Sequence, residues 1–321
     1  MSKESPYRSF FGFRDENGWP DNTSYEGWWD YDTLPKLNYE DSEELYDYIL
    51  GIAAKWVSAP YYVDGWRLDV AADLGHSSEF NHKFWRDFRK AVKTANPEAL
   101  ILAEHYGDPK DWLEKGDQWD TVMNYPFYLN LIDLLADEKI TVSQFVQNLG
   151  YLKGRLHKNC YPLMWNLIDS HDTARFLHLC NDNKKKQHLA AAFQLLLPGM
   201  PMIYYGDEYA MPGANDPDCR RGMYWDEEYQ DKEMYEWYKR LIQVRKSHAC
   251  IVEGELAGSV TEDEEGTIVL IRKNGEETIA MIFNCSSSAK KFNEYTQKYN
   301  LLTENTFDGN VEGFDAAVIV L

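Results

Sequence analysis

Four apolar runs in this chain end in acid. VDGWRLD closes on Asp69, with Arg67 two residues before it, and ALILAE closes on Glu104. YPLMWNLIDSHD ends with Asp169, His171 and Asp172, and PMIYYGDE ends with Asp207 and Glu208. A charge at the end of a buried run needs a partner, a ligand or a chemical task, because stripping water from an unpaired carboxylate is costly. Capping the next helix accounts for any one of these acids equally well. It accounts poorly for Asp69 and Glu104, which close apolar runs rather than open helices. Asp207 and Glu208 read as residues that shape a loop.

Two carboxylates held in different charge states can act as nucleophile and general acid. Arg67 and Asp69 share a face by the strand period, so the guanidinium can keep Asp69 ionised, as a nucleophile requires. Glu104 needs a proton to release a leaving oxygen, and a nearby negative charge with apolar walls favours that. If the two runs are adjacent strands, about 4.8 Å apart, their terminal carboxyls stand about 5 Å apart. That is the separation of a retaining glycosidase, whereas an inverting pair leaves room for a water.

The elements that carry these residues alternate. DSEELYDYILGIAAKWVS reads as a helix capped by Asp41 or Ser42. VDGWRLDVA follows as a strand, and SSEFNHKFWRDFRKAVKTA places Phe80, Phe84, Phe88 and Val92 on one helical stripe. Asn96-Pro97 breaks that helix before the strand ALILAE. DTVMNY is strand-like, with helical sequence from about 126 to 154; YPLMWNLIDS and PMIYYGDE are strands followed by the helices KKKQHLAAAFQLLLP and KEMYEWYKRLIQVRKSH. Five strands, each followed by helix, predict a parallel α/β sheet whose ligands sit at the carboxyl ends of the strands. After about residue 249, TIVLIRKN, ETIAMIFNCS and AAVIVL are β-runs without intervening helices, which predicts a small antiparallel β domain.

Composition narrows the partners. A formal charge of −20 repels phosphate backbones and anionic lipid, so nucleic acid and membrane are excluded as partners and a neutral ligand is favoured. With 11 Trp and 22 Tyr the chain has flat apolar faces to spare for sugar rings as well as for its core. Cys160, Cys180, Cys219, Cys250 and Cys285 are scattered and odd in number, which predicts reduced thiols rather than a disulfide framework or zinc site. The start MSKESPYRSFFGF has no apolar core of a signal peptide, and the longest apolar stretch is interrupted by Gln194, Pro198 and Pro201, against a membrane span. A cytoplasmic location is expected, any export signal lying in a preceding region.

The motifs GWRLDVA, ILAEHYGDPKDWL, NLIDSHDTAR and PGMPMIYYGDE resemble consecutive signature regions of the α-amylase family of (β/α)8 hydrolases. LPKLNYE at 34–40 resembles another, in the form found in neopullulanases and maltogenic amylases. The resemblance covers residues 28–245 in family order. It implies Asp69 as nucleophile, Glu104 as acid/base and Asp172 as a third carboxylate gripping sugar hydroxyls, with His171 and Arg67 as hydrogen-bonding companions. It implies a substrate with α-glucosidic bonds, of maltodextrin or starch type. Tyr106 keeps an aromatic beyond the acid/base, and Trp66, Trp112 and Tyr125 are further candidates for sugar stacking, as are Trp28 and Trp29.

There are departures. Ala72 and Asp73 stand where neopullulanase-like members often carry Asn-Glu, which leaves the acceptor open between water, for hydrolysis, and sugar, for a trehalose-forming type of transglycosylation. His105-Tyr106 replaces the common Ile-Trp or Thr-Trp. A non-catalytic amylase-like binding protein is the alternative of another class, disfavoured because all three carboxylates are present. The family's earliest motifs have no match before residue 41. The expectation is therefore a partial (β/α)8 TIM barrel, strands four to eight only, over residues 41–249, preceded by the remnant of a loop domain at 1–40 and followed by an antiparallel β-sandwich at 250–321. Such a chain would need a complementing N-terminal half-barrel or would self-associate. No cofactor is implied; the family's calcium site draws partly on the absent region, and DENGWPDN at 15–22 lacks the ligand spacing of a calcium loop.

Overall fold

Side-chain caps start the long helices, and the first two begin where the sequence places them, with acids in their first turns. Ser42 accepts the Leu45 N–H at the head of α1 (Glu43–Trp56), and Ser77 accepts that of Phe80 at the head of α2 (Ser78–Ala95). The computed structural model describes residues 4–15 and 24–321, and its contacts divide the chain into two units, Met1–Val122 and Met123–Leu321.

In the first unit β1 (Gly65–Leu68), β2 (Leu100–Ala103) and β3 (Thr121–Val122) form a parallel sheet in that order, with Arg67 beside Leu102 and Leu68 beside Ala103. Gly65 is required at its place, since a Cβ would lie 2.2 Å from Leu100 O. Phe84, Phe88 and Val92 of the α2 stripe are buried. The segments at 4–15 and 24–40 carry short 3-10 turns, among them Arg8–Phe10 and Trp28–Asp30, and isolated bridges such as Phe11–Leu37 and Gly27–Pro35. A short helix, α3 (Lys110–Leu113), separates β2 from β3.

In the second unit the helical stretch expected over 126–154 is two helices, α4 (Tyr125–Leu131) and α5 (Val142–Arg155). A π-helical turn over Ile132–Ala136 ends the first, and the Thr141–Gln144 capping box restarts the chain. Strand β4 (Trp165–Asn166) pairs in parallel with β5 (Met200–Pro201), and Met123 makes a parallel bridge to Trp165. Between and after them lie α6 (Phe176–Leu179), α7 (Lys184–Leu196), α8 (Lys232–Ser247) and α9 (Ala249–Glu253).

The C-terminal strands β6 (Glu255–Glu262), β7 (Thr267–Asn274), β8 (Glu277–Asn284), β9 (Lys290–Lys291), β10 (Tyr299–Asn300), β11 (Asn305–Thr306), β12 (Asn310–Val311) and β13 (Asp315–Val320) form an antiparallel sheet in the order β11-β10-β13-β8-β7-β6, with β9 and β12 as a separate pair. Strand β6 is absent from the sequence reading because it is an edge, exposed along most of its length, and so has no apolar alternation. One face of the sheet, with Ile268, Leu270, Met281, Phe283 and Val318, shares a core with Phe193 of α7 and Tyr238 and Leu241 of α8. The other, with Val269, Ala280, Ile282 and Ile319, packs on Phe292 and Phe307. That shared core joins the terminal sheet to α7 and α8 within the unit Met123–Leu321. All five cysteines are free thiols. No helix among the described residues is long and apolar enough to cross a membrane.

Candidate active site

Register brings the first three candidates together. Because β1 and β2 pair in parallel with Leu68 opposite Ala103, Asp69 and Glu104 leave neighbouring strands at the same level. The backbone ladder continues one step beyond the strands, Glu104 N–H donating to Leu68 O (2.8 Å) and Ala71 N–H to Glu104 O (3.2 Å). Arg67 lies between the two acids: Nη1 is 2.5 Å from Asp69 Oδ1 and Nη2 is 3.0 Å from Glu104 Oε1. The second contact goes beyond the sequence reading, which paired Arg67 with Asp69.

The two carboxyls differ in access. The Asp69 side chain is 77% exposed and that of Glu104 is 4% exposed. Glu104 Oε2 also accepts the Val70 N–H at 3.0 Å. Val70 itself has φ 41°, in the left-handed region that a β-branched residue avoids. Such strain, next to Asp69, persists only where surrounding contacts fix it. Here they do: the Trp85 indole donates to Ala71 O (2.7 Å), and Asn81 donates to Ala72 O (3.0 Å) while accepting the Gly75 N–H (2.6 Å).

Asp73, one of the two departing positions, ties this loop to the N-terminal segment. The Trp29 indole N–H donates to Asp73 Oδ2 at 2.9 Å, and Lys36 Nζ lies 3.7 Å from Oδ1. Trp28 and Trp29 stack at 4.6 Å with an interplanar angle of 10°, and Trp29 is 71% exposed. An exposed, oriented indole of this kind suits stacking on a sugar ring.

The other aromatic candidates separate. Tyr106 is half exposed, directly after Glu104 and His105. Trp66 belongs to the opposite face of β1: its indole N–H donates to Ala53 O in α1 and its ring lies edge-on to Phe88 in α2. It serves the helix–sheet packing, which corrects its assignment to substrate. Trp112 is buried and stacked on Trp119 at 4.4 Å, and Tyr125 is fully buried, so neither offers a face to a ligand. His105 is half-buried beside the same tryptophans, and burial lowers its pKa, favouring a neutral ring.

His171 and Asp172 lie in the second unit, on the loop after β4. His171 Nε2 is 3.2 Å from Asp172 Oδ2. Arg220 completes this group: Nη2 donates to Asp172 Oδ1 (2.9 Å) and Nε to His171 O (2.8 Å). The sequence reading missed Arg220, because it sits in the turn-rich run NDPDCRR, 48 residues from its partner, where no period marks it. Among the described residues no group of three His, Cys, Asp or Glu is arranged to hold a metal ion. Of the acidic stretch 15–22, all but Asp15 lies outside the described residues.

Residues 1–229 match the family model for the catalytic domain of alpha amylase. The chain belongs to the α-amylase family, whose TIM barrel and C-terminal antiparallel β domain its parallel strands and terminal sheet fit. It is 41% identical over 256 residues to a cyclomaltodextrinase of Geobacillus thermopakistaniensis, covering 80% of this chain and 42% of that protein. It is 35% identical over 294 residues to neopullulanase 2 of Thermoactinomyces vulgaris, covering 86% and 49%. A solved cyclomaltodextrinase superposes with a TM-score of 0.86 at 32% identity, over 99% of this chain and 56% of the other. The chain thus spans about half the length of the curated relatives it matches.

Proposed function

We propose that this chain supplies the catalytic carboxylates of a retaining glycoside hydrolase acting on α-glucosidic bonds of maltodextrin-like glucans. The observation that carries the reading is the Arg67 bridge between an exposed Asp69 and a buried Glu104 at the ends of adjacent parallel strands. An accessible carboxylate is suited to attack the anomeric carbon, and Glu104 is placed to protonate the departing glycosidic oxygen, for which it must take up a proton against the contacts from Arg67 and the Val70 N–H that favour its charged form. In the second displacement Glu104 takes a proton from water, whose oxygen attacks the anomeric carbon and frees Asp69. Asp172, with His171, binds sugar hydroxyls, and Tyr106 and Trp29 offer stacking faces. The free thiols suit a reducing compartment such as the cytoplasm.

We further propose that the five parallel strands are strands four to eight of the barrel, and that turnover needs the other three from preceding sequence or a partner. The coverage of about half of each relative supports this. Eight strands of matched tilt are needed to close such a barrel. The test is NMR of fresh product from the completed protein on an α-linked substrate. Retention gives the α-anomer first; the β-anomer first would overturn double displacement. Product analysis on maltotriose separates water from sugar as acceptor.

A further inference from the structure

Behind the Asp172 loop lies a buried ionic group that the proposed reaction does not use. Asp169, Arg175 and Asp207 are each 1% exposed or less. Arg175 Nη1 is 3.2 Å from Asp207 Oδ1 and donates to Tyr205 O at 2.8 Å, and its guanidinium lies over the rings of Tyr204 (4.4 Å) and Tyr205 (4.9 Å). Asp207 meets this cation directly and Asp169 feels its charge, while Arg175 Nε and Nη2 are buried without a hydrogen-bond partner. With both carboxyls ionised the group would hold an uncompensated buried negative charge, which is prohibitive; one proton shared between the carboxyls makes it neutral. Burial raises the pKa of both, and for Asp207 the Asp169 charge adds to the effect. Sharing also accounts for Asp169 Oδ1 and Asp207 Oδ2, which otherwise lack a hydrogen-bond partner. Among the described residues the groups facing the pair include no second cation: Gln187 of α7 donates to Asp207 O, the Tyr238 hydroxyl of α8 is buried nearby, and Glu208 adds negative charge.

The group ties the two ends of the loop that carries Asp172: the Asp169 carboxyl at its start accepts the Phe176 N–H at its close at 2.7 Å. The Arg175 backbone N–H also donates to Gly213 O at 2.9 Å, a bond that does not depend on the guanidinium. Between the two ends the Ser170 N–H donates to Thr173 Oγ1 (2.9 Å) and the Asp172 N–H to Ser170 Oγ (3.2 Å). Gly206, with φ 92°, sets the turn into Asp207, where a Cβ would meet Met211 Sδ at 2.2 Å.

We propose that Asp169, Arg175 and Asp207 form a neutral buried clamp, two carboxyls sharing one proton against one guanidinium, which positions the Asp172 loop. Arg175 and Asp207 are then positioning residues for the reaction, and this part rests on the role given to Asp172 above. Ionisation of the second carboxyl leaves the clamp with a net buried charge, so the loop loosens as pH rises.

Hydrogen–deuterium exchange of the peptide spanning 169–176 tests this in the full chain without requiring activity. After correction for intrinsic exchange, the wild-type loop should lose protection as pH rises and the second carboxyl ionises. Asp207→Asn, whose amide can donate to Asp169 and cannot ionise, should keep protection over the same range. Arg175→Met should exchange about tenfold faster at every pH, with peptides of β7 and β8 unchanged. Equal protection in Arg175→Met and wild type, or parallel loss in wild type and Asp207→Asn, would overturn the clamp. Should Arg175→Met fail to fold, the pH comparison of wild type and Asp207→Asn still decides. In the completed enzyme Asp207→Asn should extend the alkaline limb of kcat. If Asp172→Asn leaves kcat intact while the exchange pattern holds, the role of Asp172 fails and the clamp stands.

Discussion

Arg67 Nη2 stands 3.0 Å from Glu104 Oε1 while the same guanidinium binds Asp69, so one planar cation fixes two carboxyls of opposite exposure. Lysine keeps the charge but has no fork to span both. Arg67→Lys should therefore lower kcat about a hundredfold, the scale of a lost positioning contact. Steady-state kinetics on the completed protein check this, and an unchanged kcat would remove Arg67 from the site.

The carboxylates should separate by substrate. Asp69→Asn should abolish turnover of every glucan and aryl glycoside. Glu104→Gln should spare aryl glycosides, whose leaving groups need little protonation. Equal loss on both kinds of substrate argues against Glu104 as the acid.

Trp66 and Tyr106 should fail in different assays. Tyr106→Ala should weaken maltooligosaccharide binding by about 1 kcal/mol, the value of a stacked ring, with little change in melting. Trp66→Phe loses the bond to Ala53 O and should cost about 1 kcal/mol of stability with affinity intact. Calorimetry and thermal melts read the two arms. Tighter binding of cellooligosaccharides than maltooligosaccharides would overturn the substrate class.

Asp120 should carry an acid limit on stability. Burial opposes its ionisation, but Lys93, Arg89 and the Ile101 N–H together hold its pKa below the ordinary carboxylate value. Lys93 Nζ lies 2.8 Å and Arg89 Nη1 2.6 Å from its oxygens, tying α2 to the sheet. A depressed folded-state pKa means stability that is present above the unfolded-state value and lost as pH falls through the folded one. Asp120→Asn should cost about 2 kcal/mol at pH 7 and flatten the acid limb. Urea melts at neutral and acid pH test both.

Produced alone, these 321 residues should associate and turn over maltodextrin poorly. Strands β1 and β5 each pair on one side only among the described residues, and unpaired strand edges recruit other chains. Light scattering with a reducing-sugar assay decides; a fully active monomer would contradict the half-barrel reading.

What the sequence determined by itself was local or periodic. The α2 stripe, a cap at Asp41 or Ser42, the parallel order of β1 and β2 and the level at which Asp69 and Glu104 emerge all follow from period, cap chemistry and strand alternation, and the structure gives the cap to Ser42. Strand alternation also places Trp66 on the face opposite Arg67, so its true packing was legible even though proximity to the site suggested a ligand. Tertiary structure decided whatever depends on partners distant in sequence. Arg220 meets Asp172 across 48 residues, Trp29 meets Asp73 across 44, and Arg175 meets Asp207 across 32. No one-dimensional period encodes such pairs, because each is selected by the packing that brings two loops together and by the cost of leaving a buried charge alone.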